Sequence, residues 1–100
     1  MTIFQTAHFI VKPESRDVCE RAIREFIDYI RANEPGTLRY TSLQQAGDPN
    51  SFMNFFIFAD EAAQNRHRTS EGVKRFTAVL YPELIDGQVR FTDYAMLAST

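Results

Sequence analysis

One cysteine, no tryptophan and only two histidines stand among the 100 residues, and each scarcity removes a class of function. A single thiol, Cys19, excludes an internal disulfide and suits a reducing compartment. Two histidines, His8 and His67, have no third nitrogen, sulfur or carboxylate ligand at motif spacing, so no metal is expected. No apolar run approaches the roughly 20 residues of a membrane helix. Lys and Arg are scattered and the net charge is −2, so no basic stripe suggests nucleic acid. The start Met1-Thr2-Ile3-Phe4-Gln5 lacks the basic and apolar regions of a secretory signal. The expectation is a soluble, cytoplasmic protein that binds neither nucleic acid nor membrane.

What is present suffices for a core. Hydrophobic residues make up 44% and charged residues 24%, as in a folded chain, and residues 1–100 are expected to form one domain. Ile3 to Val11 alternates weakly and reads as a strand. Lys12-Pro13-Glu14-Ser15 has the proline and acid of a helix start. Val18, Ala22, Ile23, Phe26, Ile27 and Ile30 then recur at helical spacing, opposite Arg16, Glu20, Arg24, Asp28 and Arg31. Glu34-Pro35-Gly36 ends that helix.

Thr37 to Gln45 reads as a second strand, with Leu38 and Tyr40 on one face. The cluster Gly47-Asp48-Pro49-Asn50 turns the chain into an antiparallel strand beginning near Ser51. Asp60 can cap a helix that brings Ala62, Ala63, Arg66 and His67 together, and Ser70 can cap another carrying Val73, Phe76, Thr77 and Leu80. Pro82 stops it. An Asp86-Gly87 turn precedes a last strand, Val89 to Leu97. The order β-α-β-β-α-β predicts an α+β, ferredoxin-like antiparallel sheet with its helices on one face.

The segment Phe52-Met53-Asn54-Phe55-Phe56-Ile57-Phe58-Ala59 is apolar on both faces. As a strand it puts Phe52, Asn54, Phe56 and Phe58 on one side and Met53, Phe55 and Ile57 on the other. Helices cover only one side of such a sheet, and each large side chain left wet forfeits roughly 1.5–3 kcal/mol. A homodimer joined through Met53, Phe55 and Ile57 is therefore expected.

Three local patterns then carry a likeness. Glu34-Pro35-Gly36-Thr37-Leu38-Arg39-Tyr40 runs from the first helix into the second strand. Asp60-Glu61-Ala62-Ala63-Gln64-Asn65-Arg66-His67-Arg68-Thr69-Ser70 places an Ala, a His and a Ser in series. The element order spans nearly the whole chain. In these features the sequence resembles the antibiotic biosynthesis monooxygenase (ABM) domain family of dimeric α+β barrels. The resemblance implies a small pocket between helices and sheet in each subunit. In some members that pocket oxidises polycyclic phenols to quinones with molecular oxygen, without metal or flavin.

The resemblance also implies roles. Family oxygenases can place an Asn and a Trp four residues apart on this strand; Asn54 matches, and Phe58 replaces the indole. An amide can donate to a developing oxyanion in a dry pocket. His67 matches the family's second-helix His, able to accept a phenolic proton. Asn54 and His67 are thus the catalytic candidates. Phe52, Phe56 and Phe58 would enclose the substrate, and Tyr40 and Tyr94 are phenols able to line the pocket or the interface. His8, on the first strand, could approach Asn54 if both face the helices. Relatives often carry another His where Gly72 stands.

The expected function is a cofactor-independent monooxygenase acting on a small aromatic molecule: a phenol, quinol or polyketide-like compound. The alternative is a non-oxidative isomerase or small-ligand-binding dimer of the same fold. Haem degradation, found among proteins of this fold, would call for a Trp where His67 stands and a His near Thr77. A polar ligand would place Arg39, Arg75 or Arg90 in the pocket beside His67, whereas an aromatic ligand would require a wall of phenylalanines.

Overall fold

The computed structural model describes all residues from Met1 to Thr100. In chain order the elements are β1 (Ile3–Ile10), a 3-10 turn (Pro13–Ser15), α1 (Arg16–Asn33), β2 (Thr37–Gln45), β3 (Asp48–Phe58), α2 (Glu61–Arg68), α3 (Glu71–Leu80), a second 3-10 turn (Tyr81–Glu83) and β4 (Arg90–Tyr94). The sheet order is β2-β3-β1-β4, with every neighbouring pair antiparallel. This is the ferredoxin-like α+β arrangement, with the second helix of the expected order divided into α2 and α3. No helix is long and apolar enough to cross a membrane.

The helical stripe on α1 buries Cys19, Ala22, Ile23, Phe26 and Ile30, three or four residues apart. They pack with Phe9, Phe52, Phe76 and Leu80 into the main core. Val18, expected on this stripe, is exposed, and the buried Cys19 takes the inward position. The two later helices begin where capping chemistry places them. Asp60 accepts from the Ala63 N–H at 2.8 Å, and Ser70 accepts from the Val73 N–H at 3.0 Å.

β3 alternates strictly. Phe52, Asn54, Phe56 and Phe58 are 5%, 1%, 2% and 0% exposed, on the face the helices cover. Met53, Phe55 and Ile57 are only half-buried on the far face, where Phe4 and Phe55 stack with ring centres 6.4 Å apart.

Several local expectations change. β3 begins at Asp48, three residues before Ser51, because the turn tightens onto Gly47 with its positive φ of 84°. Leu38 does not share a face with Tyr40. The pairing of β2 with β3 slips between Thr37 and Arg39, and this bulge turns Leu38 out to 59% exposure. β4 stops at Tyr94 rather than Leu97.

His8 is a correction of placement. It pairs with Met53 on one side and Arg90 on the other. Its neighbours Ala7 and Phe9 face the helices, so His8 faces the opposite way. Ala7, not His8, lies across from Asn54.

Two glycines mark close approaches. A Cβ on Gly36 would sit 2.6 Å from the Ala63 Cβ, so the turn after α1 lies directly against α2. A Cβ on Gly72 would fall 2.2 Å from the Tyr29 ring. The ring fills the space beside Gly72 and leaves no room there for a larger side chain.

Candidate active site

A cavity of about 390 Å³ opens between the helix-facing side of the sheet and α2 and α3. Its volume falls in the usual range for a small-molecule site. Phe26, Phe56, Phe76 and Phe91 supply aromatic wall, and Tyr40, Asn54 and His67 line the same space.

β3 and β2 bring the first polar group together. Asn54 lies opposite Ser42 in the ladder, one alternation from Tyr40. The Ser42 hydroxyl donates to Asn54 Oδ1 at 2.6 Å, and Asn54 Nδ2 donates to the Tyr40 hydroxyl at 2.8 Å. The chain Ser42–Asn54–Tyr40 thus uses the Tyr40 oxygen as an acceptor and leaves its own O–H free to donate. Burial holds the phenol protonated, well above the ordinary tyrosine range; the Asn54 hydrogen bond opposes this and the nearby Glu34 charge adds to it. Tyr40 is therefore a donor, and Asn54 both fixes and polarises it.

The second group comes from the Gly36–Ala63 contact. That approach seats α2 against the end of α1, and one turn beyond Ala63 the His67 ring reaches Glu34. His67 Nδ1 lies 2.8 Å from Glu34 Oε1, with the two side chains 11% and 7% exposed. The same carboxylate oxygen accepts from the Thr37 hydroxyl at 2.8 Å, while Oε2 is buried without a partner. Burial lowers the His67 pKa, countered by the Glu34 hydrogen bond and charge, with Arg68 lowering it again. A neutral imidazole beside a carboxylate keeps its proton on Nδ1, so Nε2 is free to accept one.

These two groups meet. The Tyr40 and His67 ring centres are 5.9 Å apart, and both pack against Phe56, at 4.6 and 5.6 Å. A proton acceptor and a hydrogen-bond donor thus share one aromatic-walled space.

Of the residues singled out in the sequence, Asn54, Tyr40, Phe56 and His67 come together here. Phe58 and Phe52 do not line the cavity. Phe58 is wholly buried behind it, its ring 5.2 Å from His67, and Phe52 stacks on Phe9 at 5.5 Å in the main core. His8 and Tyr94 lie on the far face, Tyr94 paired with Phe4.

Sequence reading missed Glu34, taken as part of a helix stop, and Ser42, which shares the period-two phase of Tyr40. It also missed Gln64 and Arg68, which line the cavity from α2. Their spacing from each other was a visible signal, four residues apart with His67 between. None of Arg39, Arg75 and Arg90 is there. Arg39 and Arg90 lie on the far face, paired with Ile57 and His8, and Arg75 sits 5.3 Å over the Tyr29 ring.

The family model for antibiotic biosynthesis monooxygenase matches residues 2–79. No curated protein matches the chain. Among solved structures, a Pseudomonas aeruginosa protein is 26% identical and aligns over 97% of this chain and 95% of its own with a TM-score of 0.86. A Mycobacterium tuberculosis protein is 21% identical over 99% and 98%, with a TM-score of 0.88. A Caulobacter crescentus protein assigned to antibiotic biosynthesis monooxygenases is 20% identical over 97% and 91%, with a TM-score of 0.89. The last two likenesses establish the shared fold, and the family match covers most of the sequence. The chain belongs to the antibiotic biosynthesis monooxygenase family.

Proposed function

We propose that the cavity oxidises a small aromatic phenol or quinol with molecular oxygen, the substrate itself supplying the electrons. One observation carries this reading: His67, hydrogen-bonded to Glu34, and Tyr40, hydrogen-bonded to Asn54, share a phenylalanine-walled cavity. His67 Nε2 takes the phenolic proton, and the Glu34 carboxylate holds Nδ1–H and compensates the imidazolium that forms. The Tyr40 O–H, set by Asn54, donates to the phenolate oxygen. The electron-rich ring carbon para to that oxygen passes two electrons to O₂ and forms a C–O bond to it, and the imidazolium returns its proton to the distal oxygen, giving a ring hydroperoxide. Loss of the C–H proton and cleavage of the O–O bond yield a quinone carbonyl and water. Phenol plus O₂ becomes quinone plus water, with one atom of the O₂ entering each product.

The test is oxygen uptake and quinone absorbance with metal-free protein across phenols and quinols. Turnover that Asn54→Ala and His67→Ala each depress supports the reading. A wild type as inert as both variants across the panel removes it.

A second reading is favoured by the same pair. A base and a donor flanking one cavity are also what a non-oxidative isomerase needs to enolise a carbonyl substrate. Conversion that proceeds equally well without oxygen selects it. In either case the protein works as a homodimer through Met53, Phe55 and Ile57, a reading supported by the half-buried apolar far face on which no helix packs.

A further inference from the structure

Charge is distributed unevenly around the cavity. Among the residues that line it, Arg68 is the only one with a permanent charge, and no carboxylate joins it. Arg68 takes part in none of the chain's ion pairs, which are Arg31–Asp28, His67–Glu34 and Lys74–Glu71. It ends α2 and is exposed. One helical turn earlier stands Gln64, which is 7% exposed, with a buried side-chain Nε2 that has no hydrogen-bond partner. An orphaned buried donor costs about 1–3 kcal/mol unless something supplies an acceptor.

Residues four apart on a helix lie on one face, so Gln64 and Arg68 form a strip leading from the buried interior to the mouth. Both flank His67. A neutral aromatic would leave the buried Gln64 amide without an acceptor and the Arg68 charge without a counter-ion. A carboxylate would satisfy both, since the guanidinium fork matches its two oxygens and the amide supplies one more N–H.

Resting on the aromatic-site reading above, we infer that the substrate carries a carboxylate and that Arg68 with Gln64 forms its binding subsite. The substrate class narrows to hydroxylated aromatic acids. The hydroxyl lies toward Tyr40 and His67, and the acid lies toward the end of α2.

Fluorescence titration with two probes of the same ring system, 2-naphthol and 6-hydroxy-2-naphthoate, tests this. Wild type is expected to bind the acid about tenfold more tightly than the naphthol, a modest yield for a charge-assisted pair near solvent. Arg68→Met is expected to abolish that preference, read as the ratio of the two affinities so that any change common to both probes cancels, with Arg68→Lys restoring part of it. Gln64→Leu is expected to weaken the acid alone. Equal wild-type affinities, or an acid preference that survives Arg68→Met, overturns the subsite and leaves the aromatic cavity standing. Failure of wild type to bind either probe overturns both. Arg68 is exposed, so its variants keep the fold, and unchanged melting temperatures verify it.

Discussion

The Asn54 amide donates to the Tyr40 hydroxyl across 2.8 Å, so the phenol oxygen is already occupied as an acceptor and its proton is available outward. In the proposed reaction the amide therefore aims the Tyr40 hydroxyl that would donate to the substrate. Tyr40→Phe removes the donor and leaves Asn54 Nδ2 unpaired. We expect turnover to fall by about 10²- to 10³-fold, as on loss of one oxyanion donor. Asn54→Ala strips partners from both Ser42 and Tyr40 and is expected to destabilise the fold by about 1–3 kcal/mol as well. Denaturant melts alongside kinetics separate the two effects.

Glu34 is expected to set the proton affinity of His67. The buried ring has a folded-state pKa below its unfolded one, so the unfolded chain binds more protons as pH falls below about 6.5. Stability is therefore full above that pH and declines as the solution is acidified toward the lowered folded value. Glu34→Gln keeps a hydrogen-bond acceptor but removes the charge that opposes burial. The His67 pKa should drop further and the acid-sensitive window should widen. Histidine titration by NMR, with melts between pH 5 and 7, measures both. An unchanged His67 pKa in Glu34→Gln would show that the carboxylate charge plays no part.

Gly36→Val is expected to act at a distance. Its side chain would collide with Ala63, where even a single Cβ comes within 2.6 Å. The cost should be about 1–3 kcal/mol, typical of overpacking. Because that contact seats α2, the His67–Glu34 hydrogen bond should weaken before the protein unfolds. A shifted His67 resonance in the still-folded variant is the expected signature.

The far face gives the fourth expectation. Phe55→Asp places a charge amid Phe4, Met53 and Ile57 without touching the helix-facing core. Sedimentation should show dimers of wild type dissociating into folded monomers of the variant. A wild type that sediments as a monomer at high micromolar concentration would argue against the homodimer.

The sequence revealed most where the physics is local. The α1 stripe, the caps at Asp60 and Ser70, and the alternation along β3 follow from side-chain period and backbone satisfaction within a few residues. It revealed less where one extra residue changes phase. The bulge at Leu38 turns that side chain outward, and neither its composition nor that of its neighbours announces it. His8 illustrates the same limit, since alternation groups it with Phe4 and Ile10 but does not say which way the group points. The site was half legible. Asn54 stands out as a polar residue amid apolar ones and His67 through its match to the family's second-helix His, whereas Glu34 lies 33 positions from its partner and reads locally as a helix terminator. Only the close approach of Gly36 to Ala63 brings it into play.

The two-sidedness of β3 has a consequence for how this sequence can change over time. Residues 52–58 serve the helix-covered face and the opposite face alternately, so replacement at any one position alters a single face. Adding or deleting one residue would exchange the faces, sending Asn54 outward and Phe55 into the cavity. This strand can therefore drift in composition while remaining fixed in length, and natural variation in loop length should cluster around Gly47 and Gly87, the two positive-φ turns outside it.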